Sequence, residues 1–197
     1  MKYTGFQELD LQLKARTLHD LQSKLPGLIH SVSPRIDSLI VRTSSSKLRP
    51  VALYLRNSTC AQFKTLVDIA VVDKLLPKGR FVVNYLFLSM VTNQRLIVQI
   101  YANETTTLPS LSTPFIGDDR FFPSASWLER EVWDMFGIYF SEHGDLRRIL
   151  TDYGFAAHPL RKDFPLSGFH EVVYNDAEGR VTSEPIELAQ EFRVFQL

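Results

Sequence analysis

The sequence predicts an α+β domain, mainly an antiparallel sheet with flanking helices, followed by an extended irregular C-terminal arm. Two observations carry this. Over residues 1–150, helical and strand periodicities follow one another as helix, strands, helix, strands, helix, joined by hairpin-length links instead of regular βαβ crossovers. Beyond residue 150, glycine, proline and aspartate recur too often for a long helix or a central strand, yet the stretch stays rich in apolar side chains. Residues 151–197 are therefore expected to form an arm that docks on partner subunits.

Leu11, Ala15, Leu18, Leu21 and Leu25 fall on one face of an amphipathic helix, which Pro26-Gly27 ends. Residues 29–33 and 38–43 read as short strands around a turn at 34–37. From 47 to 56 the apolar positions Leu48, Val51 and Leu55 return to helical spacing, with Pro50 tolerable in a first turn. Residues 66–72 form a β-branched run interrupted by Asp68, and 81–90 and 95–102 form a hairpin through 91–94. Three prolines and many Ser/Thr make 103–124 a loop or edge segment. Ser126 and Glu129 have capping-box spacing, so a helix is expected to start there and to stop at Gly137. Its core face would carry Leu128, Val132, Met135 and Tyr139, with Glu131 and Asp134 together on the opposite flank.

Composition excludes several function classes. The 197 residues suit one ordinary domain plus an appendage, and 45% hydrophobic with 12% aromatic residues argues against disorder. Lys+Arg and Asp+Glu both number 22, so the surplus of cations that a nucleic-acid binder needs is missing. Cys60 is the only cysteine; it allows no internal disulfide, falls three thiolates short of a four-cysteine cluster, and reads as a small buried hydrophobe. The N-terminus lacks the pattern of a signal or transit peptide, which suggests use in the compartment of synthesis, and no run is apolar for long enough to span a bilayer. The sequons at Asn57 and Asn103 are then chance matches.

Phosphate-cradling glycine motifs, a nucleophile elbow and simple metal-ligand spacings are all absent. One stretch stands out. Residues 126–150 hold both tryptophans, five acids and three arginines. Glu129, Glu131, Asp134 and His143 could hold a divalent metal or act as acid and base, which would make a stand-alone metal-dependent enzyme. The plainer reading is that Glu129, Arg130, Glu131 and Asp134 answer Arg147 and Arg148 in ion pairs, within the domain or across an interface. Residues 158–168 alternate two rigid prolines with the triplet Arg161-Lys162-Asp163, suited equally to stiff docking or to a charged surface loop.

The run Glu129-Arg130-Glu131-Val132-Trp133-Asp134-Met135-Phe136-Gly137, then His143 and Asp145-Leu146-Arg147-Arg148-Ile149-Leu150, resembles the signature of NADH dehydrogenase subunit nine. That family is also called the thirty-kilodalton subunit of respiratory complex I. Residues 158–168, and 184–188 with 190–193, resemble its two later motifs in the same order, and the wording is most similar to mitochondrially encoded members. The resemblance implies a non-catalytic structural subunit of the peripheral-arm quinone module of proton-translocating NADH:ubiquinone oxidoreductase. It implies no flavin or iron–sulfur cluster in this chain, FMN and the clusters residing in neighbouring subunits. The implied partners are the forty-nine-kilodalton subunit and other peripheral-arm subunits, in a hetero-oligomer on the matrix side of the mitochondrial inner membrane or, alternatively, on the cytoplasmic face of a bacterial plasma membrane. Chloroplast dehydrogenases and membrane-bound hydrogenases carry related subunits. Glu129, Arg130, Glu131, Asp134, His143, Asp145, Arg147, Arg148, Arg161, Lys162, Asp163, Glu187, Phe192 and Arg193 are expected to serve assembly, not catalysis.

Overall fold

The structure, a computed structural model, describes residues 4–35, 37–75, 79–113, 121–190 and 193. A long helix α1 (Thr4–Lys24) leads into the hairpin β1 (Ser31–Pro34) and β2 (Ser38–Thr43). Helix α2 (Leu48–Asn57) follows, then β3 (Thr65–Asp73), β4 (Phe81–Ser89) and β5 (Gln94–Ala102). These strands make one five-stranded sheet in the order β1-β2-β5-β4-β3. All its pairings are antiparallel except β2 with β5, where Ser38 faces Arg95 and Thr43 faces Ile100. The expected α+β class with a mainly antiparallel sheet is what the chain adopts, with one parallel seam that hairpin-length links did not suggest. The seam arises because α2 carries the chain from β2 to the far edge, leaving β4 and β5 to fill the gap.

Alternation decides which side is core. Leu39, Val41, Leu66, Phe81, Val83, Tyr85, Phe87, Leu96, Val98 and Ile100 share one sheet face, and all three helices pack there. From α1 comes Leu21, with Leu25 just past its end, and from α2 come Leu48, Val51 and Leu55. Pro50 sits harmlessly in the first turn of α2. Two details of α1 differ from expectation. Ala15 is exposed, and the inward face instead buries Lys14 and Thr17, whose hydroxyl donates to Gln94 Oε1 at 3.0 Å. The side chain of Leu11 lies outside the described residues. Cys60 is half-buried, with Arg16 Nη2 3.9 Å from its sulfur, and is not the enclosed hydrophobe expected.

Asp68, which interrupts the β3 run, marks a real irregularity: the register slips between Leu66 and Asp68, so Val67 and Asp68 both face outward before Ile69 turns in again. The 103–124 segment is less of a loop than its composition suggests. Leu108, Leu111, Phe121 and Phe122 are fully buried, Phe122 packs 5.2 Å from the Phe87 ring, and β6 (Leu108–Pro109) pairs in parallel with β7 (Phe140–Ser141). Helix α3 (Ala125–Phe136) then crosses the core face. The chain closes with an antiparallel hairpin, β8 (His170–Asn175) and β9 (Arg180–Pro185), so the arm is ordered there into paired strands instead of staying irregular throughout. Among the described residues, no helix is long and apolar enough to cross a membrane.

This burial pattern sets an expected contrast. Phe87→Ala empties a fully buried aromatic site and should cost about 3–5 kcal/mol. Val67→Thr, on the outward bulge, should stay within about 0.5 kcal/mol of the parent. Urea denaturation followed by tryptophan fluorescence measures both.

Candidate functional site: an acid-anchored clamp on helix α3

Helix α3 begins one residue before the expected Ser126 cap. Ser124 holds the cap position without a side-chain cap bond, its hydroxyl donating instead to Leu66 O at 2.8 Å. Glu129 makes no capping box. It is fully buried, accepting Leu111 N–H at 2.7 Å and the Ser110 hydroxyl at 2.6 Å, and so ties α3 to the 108–112 segment. Burial pushes its carboxyl up to about 7, and those hydrogen bonds only partly oppose the rise. His143 lies beside it: Nε2 donates to Ser126 O at 3.2 Å and sits 3.7 Å from Glu129 Oε2, while Nδ1 accepts Asp145 N–H at 3.1 Å. Those partners fix the orientation of the ring.

Gly137 ends the helix as expected, with φ +73° and its N–H on Trp133 O at 2.9 Å. The helix faces differ from the expectation, however. Val132 is buried and Leu128 and Met135 pack on the core, but Tyr139 is half exposed. Glu131 faces solvent, whereas Asp134 is fully buried, so the two do not share a flank.

Asp134 is the centre of the site. Its Oδ2 accepts the backbone N–H groups of Ile149, Leu150 and Thr151 at 3.1, 2.7 and 3.0 Å. Oδ1 accepts the Thr151 hydroxyl at 2.7 Å and Arg148 Nη1 at 3.3 Å. Burial alone would raise this carboxyl; the donors from Thr151, Leu150 and Ile149 outweigh it and hold the pKa below the usual range. Arg148 also donates to Ala157 O at 2.8 Å, extending the tie along the chain.

The 158–163 motif completes the clamp. The last turn of a helix leaves carbonyls open, and here the chain fills three of them. His158 Nδ1 donates to Asp134 O at 3.0 Å, Leu160 N–H to Met135 O at 3.2 Å and Arg161 Nε to Phe136 O at 2.6 Å. Burial, helped by the charges of Arg161 and Arg148, lowers the His158 pKa against the opposing carbonyl bond. A side chain at Gly137 would meet His158 Nε2 and Arg161 Nη2 at 2.5 Å, so only glycine admits this approach. Further along, Lys162 N–H donates to Asp73 Oδ2 at 3.0 Å, and Arg80 Nη2 bridges Asp73 and Asp163 at 2.9 Å each while Nη1 grips Glu104. Hydrogen bonds to Asp73 and Asp163 raise the Arg80 pKa; Asp73 falls to about 2, because Arg80, Lys162 N–H and Leu75 N–H together overcome the effect of burial.

The structure therefore unites Asp134, Arg148, Arg161, Lys162 and Asp163 around the end of α3 and the β3–β4 hairpin. It places the rest elsewhere. Arg130 stacks over Trp127 at 5.1 Å and donates to Arg147 O at 3.0 Å; Arg147 pairs with Asp145 at 2.9 Å in solvent. Glu187 and Arg193 are exposed, and Phe192 lies outside the described residues. Glu129, Glu131, Asp134 and His143 do not converge: only Glu129 and His143 approach each other, and no group of three metal-capable side chains forms among the described residues. Asp73, Arg80 and Glu104 were missed. Their signal was there: Asp73 and Arg80 flank the turn between two apolar strands, where opposite charges meet across a hairpin.

Two expected outcomes follow from this geometry. Asp134→Asn keeps the shape but leaves Arg148 without its anion and one N–H facing an amide; it should cost about 3 kcal/mol and raise amide exchange at residues 149–151 and 158–163, read by mass spectrometry. Glu129 has a folded pKa above its ordinary 4.5, so its contribution to stability is complete below about 4.5 and is lost as pH rises through about 7. Glu129→Gln should gain on the parent across that window in urea melts; parallel pH profiles would contradict it.

Comparison with known proteins agrees with this layout. Residues 41–170 match the family model described as respiratory-chain NADH dehydrogenase, 30 Kd subunit. The chain is 46% identical over 175 residues to a probable NADH-ubiquinone oxidoreductase 30.4 kDa subunit, mitochondrial, of Candida maltosa, covering 89% of this chain and 61% of that protein. It is 52% identical over 153 residues to NADH dehydrogenase (ubiquinone) iron-sulfur protein 3 of Patellifolia webbiana, covering 78% of this chain and 76% of the other. With an NADH-quinone oxidoreductase subunit of Rhodospirillum rubrum the identity is 46%, covering 89% and 79%. A chain in the structure of the membrane-bound sulfane sulfur reductase, an archaeal respiratory membrane complex, shares the fold, with TM-score 0.63 and 21% identity over 78% of this chain and 86% of that one. On the family match and these identities, the chain belongs to the respiratory-chain NADH dehydrogenase 30 Kd subunit family.

Proposed function

We propose that this chain is a non-catalytic structural subunit of proton-translocating NADH:ubiquinone oxidoreductase, in the peripheral-arm quinone module. It would hold the quinone-site subunits in the geometry that electron transfer needs. The single observation that carries the reading is the β8–β9 hairpin. Among the described residues it pairs only with itself, and Val172 (66% exposed), Tyr174 (59%) and Val181 (62%) lie open. A lone two-stranded hairpin is marginal in water, and apolar surface of this kind marks a partner. Phe169 and Leu188, at its two ends, are also more than half exposed.

The clamp on α3 gives that hairpin a fixed root. Residues 148–163 are bound to the globule, so the following strands project from a defined place instead of a free tether. The partner expected there is the forty-nine-kilodalton subunit, with Glu187 and Arg193 among the exposed charges available to it. A relative named as mitochondrial supports a mitochondrial setting, where the chain would sit on the matrix side of the inner membrane; the Rhodospirillum relative supports a bacterial counterpart, which would sit on the cytoplasmic face. A relative bears the name iron-sulfur protein 3, but the single cysteine of this sequence falls three thiolates short of a four-cysteine cluster, which favours clusters held by neighbouring subunits, where FMN would reside as well.

Deleting residues 171–197 tests the reading. The truncated chain should keep its sheet and its α3 clamp, by amide exchange, yet be missing from the intact particle on a native gel, with loss of assembled NADH:ubiquinone reductase. Co-migration of the truncated chain with a full-sized, active particle would overturn the proposal.

A further inference from the structure

The sheet has a second face, whose side chains stand apart from the helix-packed cluster, although Val82 and Ile40 on it are buried by their own neighbours. Strand register sorts them into rows. Val72, Val82 and Tyr101 lie side by side in one row, and Leu86, Ile97 and Ile40 in another. None of the six joins the cluster that unites α1, α2 and α3. Val72 and Tyr101 are each 47% exposed, and Leu86 and Ile97 are half-buried. A solvated antiparallel face is normally polar. This one carries apolar rows on either side of a polar row, in which Arg42 faces Gln99 across the parallel seam and Gln99 faces Asn84 across the next strand pair; a further row at the edge of the face holds Ser38, the exposed Arg95 and Leu88.

That polar row is built to hold Arg42 still. Arg42 Nε donates to Gln99 Oε1 at 3.0 Å, and Gln99 Nε2 donates in turn to Asn84 Oδ1 at 2.9 Å, which fixes the amide's orientation. Nη1 donates to the hydroxyls of Ser31 and Ser33 at 3.3 and 3.2 Å. All these partners are neutral. Among the described residues no carboxylate lies within ion-pair distance of this half-buried guanidinium, whereas Arg148 and Arg161 of the α3 clamp each reach one. A fork that is rigid, half desolvated and short of an anion, set between apolar rows, has the composition of an interface hot spot.

We propose that this face is a docking surface for a segment of a neighbouring polypeptide, which sets a carboxylate on Arg42 and apolar side chains on Leu86, Ile97 and Tyr101. Charge complementarity selects the occupant. One oriented cation between apolar rows, with the exposed Arg95 one row further out, suits an Asp, Glu or C-terminal carboxylate among hydrophobic residues. A nucleic acid would want a field of cations, which a chain of zero net charge and a face with Asp68 at its border do not supply. The surface is distinct from the β8–β9 hairpin, so one chain would touch its surroundings on two sides.

The test is made in the assembled particle, where the presence of the parent chain is the control for the function proposed above. Replacing Leu86 with photoreactive benzoylphenylalanine should give adducts with another polypeptide, at a peptide that carries an Asp or Glu beside apolar residues. Arg42→Glu should lower the fraction of chain found in the particle by about tenfold or more, and Arg42→Lys, which keeps the charge, should lose less. Adducts confined to this chain, to a second copy of it or to lipid overturn the proposal, as does an absence of adducts. Incorporation of Arg42→Glu at the parent level overturns it too. If Arg42→Glu fails to fold, the Leu86 adduct decides by itself.

Discussion

A buried carboxylate with five donors around it organises this molecule. Desolvating an anion costs several kcal/mol unless every lone pair is answered, and Asp134 is answered by three consecutive backbone N–H groups, a hydroxyl and a guanidinium. Because three donors are main-chain, Ile149 and Leu150 are interchangeable as side chains but not as positions, whereas Thr151 is held to its identity by the hydroxyl it also donates: the chain at 149–151 has to curl around that one oxygen. What looks like a charge-rich surface motif is therefore a device for folding an otherwise irregular segment. Packing alone would not fix that segment, since it has few apolar residues to bury before Phe155.

The rest of the clamp follows the same logic of unsatisfied groups. Helix α3 offers open carbonyls at its end, and the 158–161 turn offers an imidazole N–H, an amide N–H and a guanidinium N–H to fill them. Asp73, sealed at the end of β3, is neutralised by Arg80 and by the Lys162 amide. Two separate elements of the globule, a helix end and a strand end, thus hold one stretch of chain at both of its flanks. Ion pairs in solvent, such as Arg147 with Asp145, add little beside this.

Much of this was legible in the sequence, and the gaps have physical causes. Periodicity located the three helices and the strands of the main sheet but not β8 and β9, and Asp68 marked the irregularity in β3, because one charged residue in an apolar run has to be turned outward. Asp134 and Arg148 were correctly read as charges that answer one another. The capping box failed because Ser-x-x-Glu spacing is local, while Glu129 found better donors in a segment nineteen residues upstream. Tyr139 was assigned to the helix face although Gly137 had already ended the helix, so the 3.6-residue period no longer applied. The parallel seam was invisible for a similar reason: strand periodicity gives the faces of a strand and says nothing about its neighbour.

That seam also fixes an order of events as the chain is made. β2 is complete at Thr43, but its partner β5 ends at Ala102, and between them lie α2 and two full strands. The β3–β4–β5 meander can zip locally, whereas the β1–β2 hairpin waits with one edge unpaired until the meander presents β5. A waiting edge is a site for wrong pairing. The N-terminal third of this polypeptide is thus the part most in need of protection while synthesis proceeds.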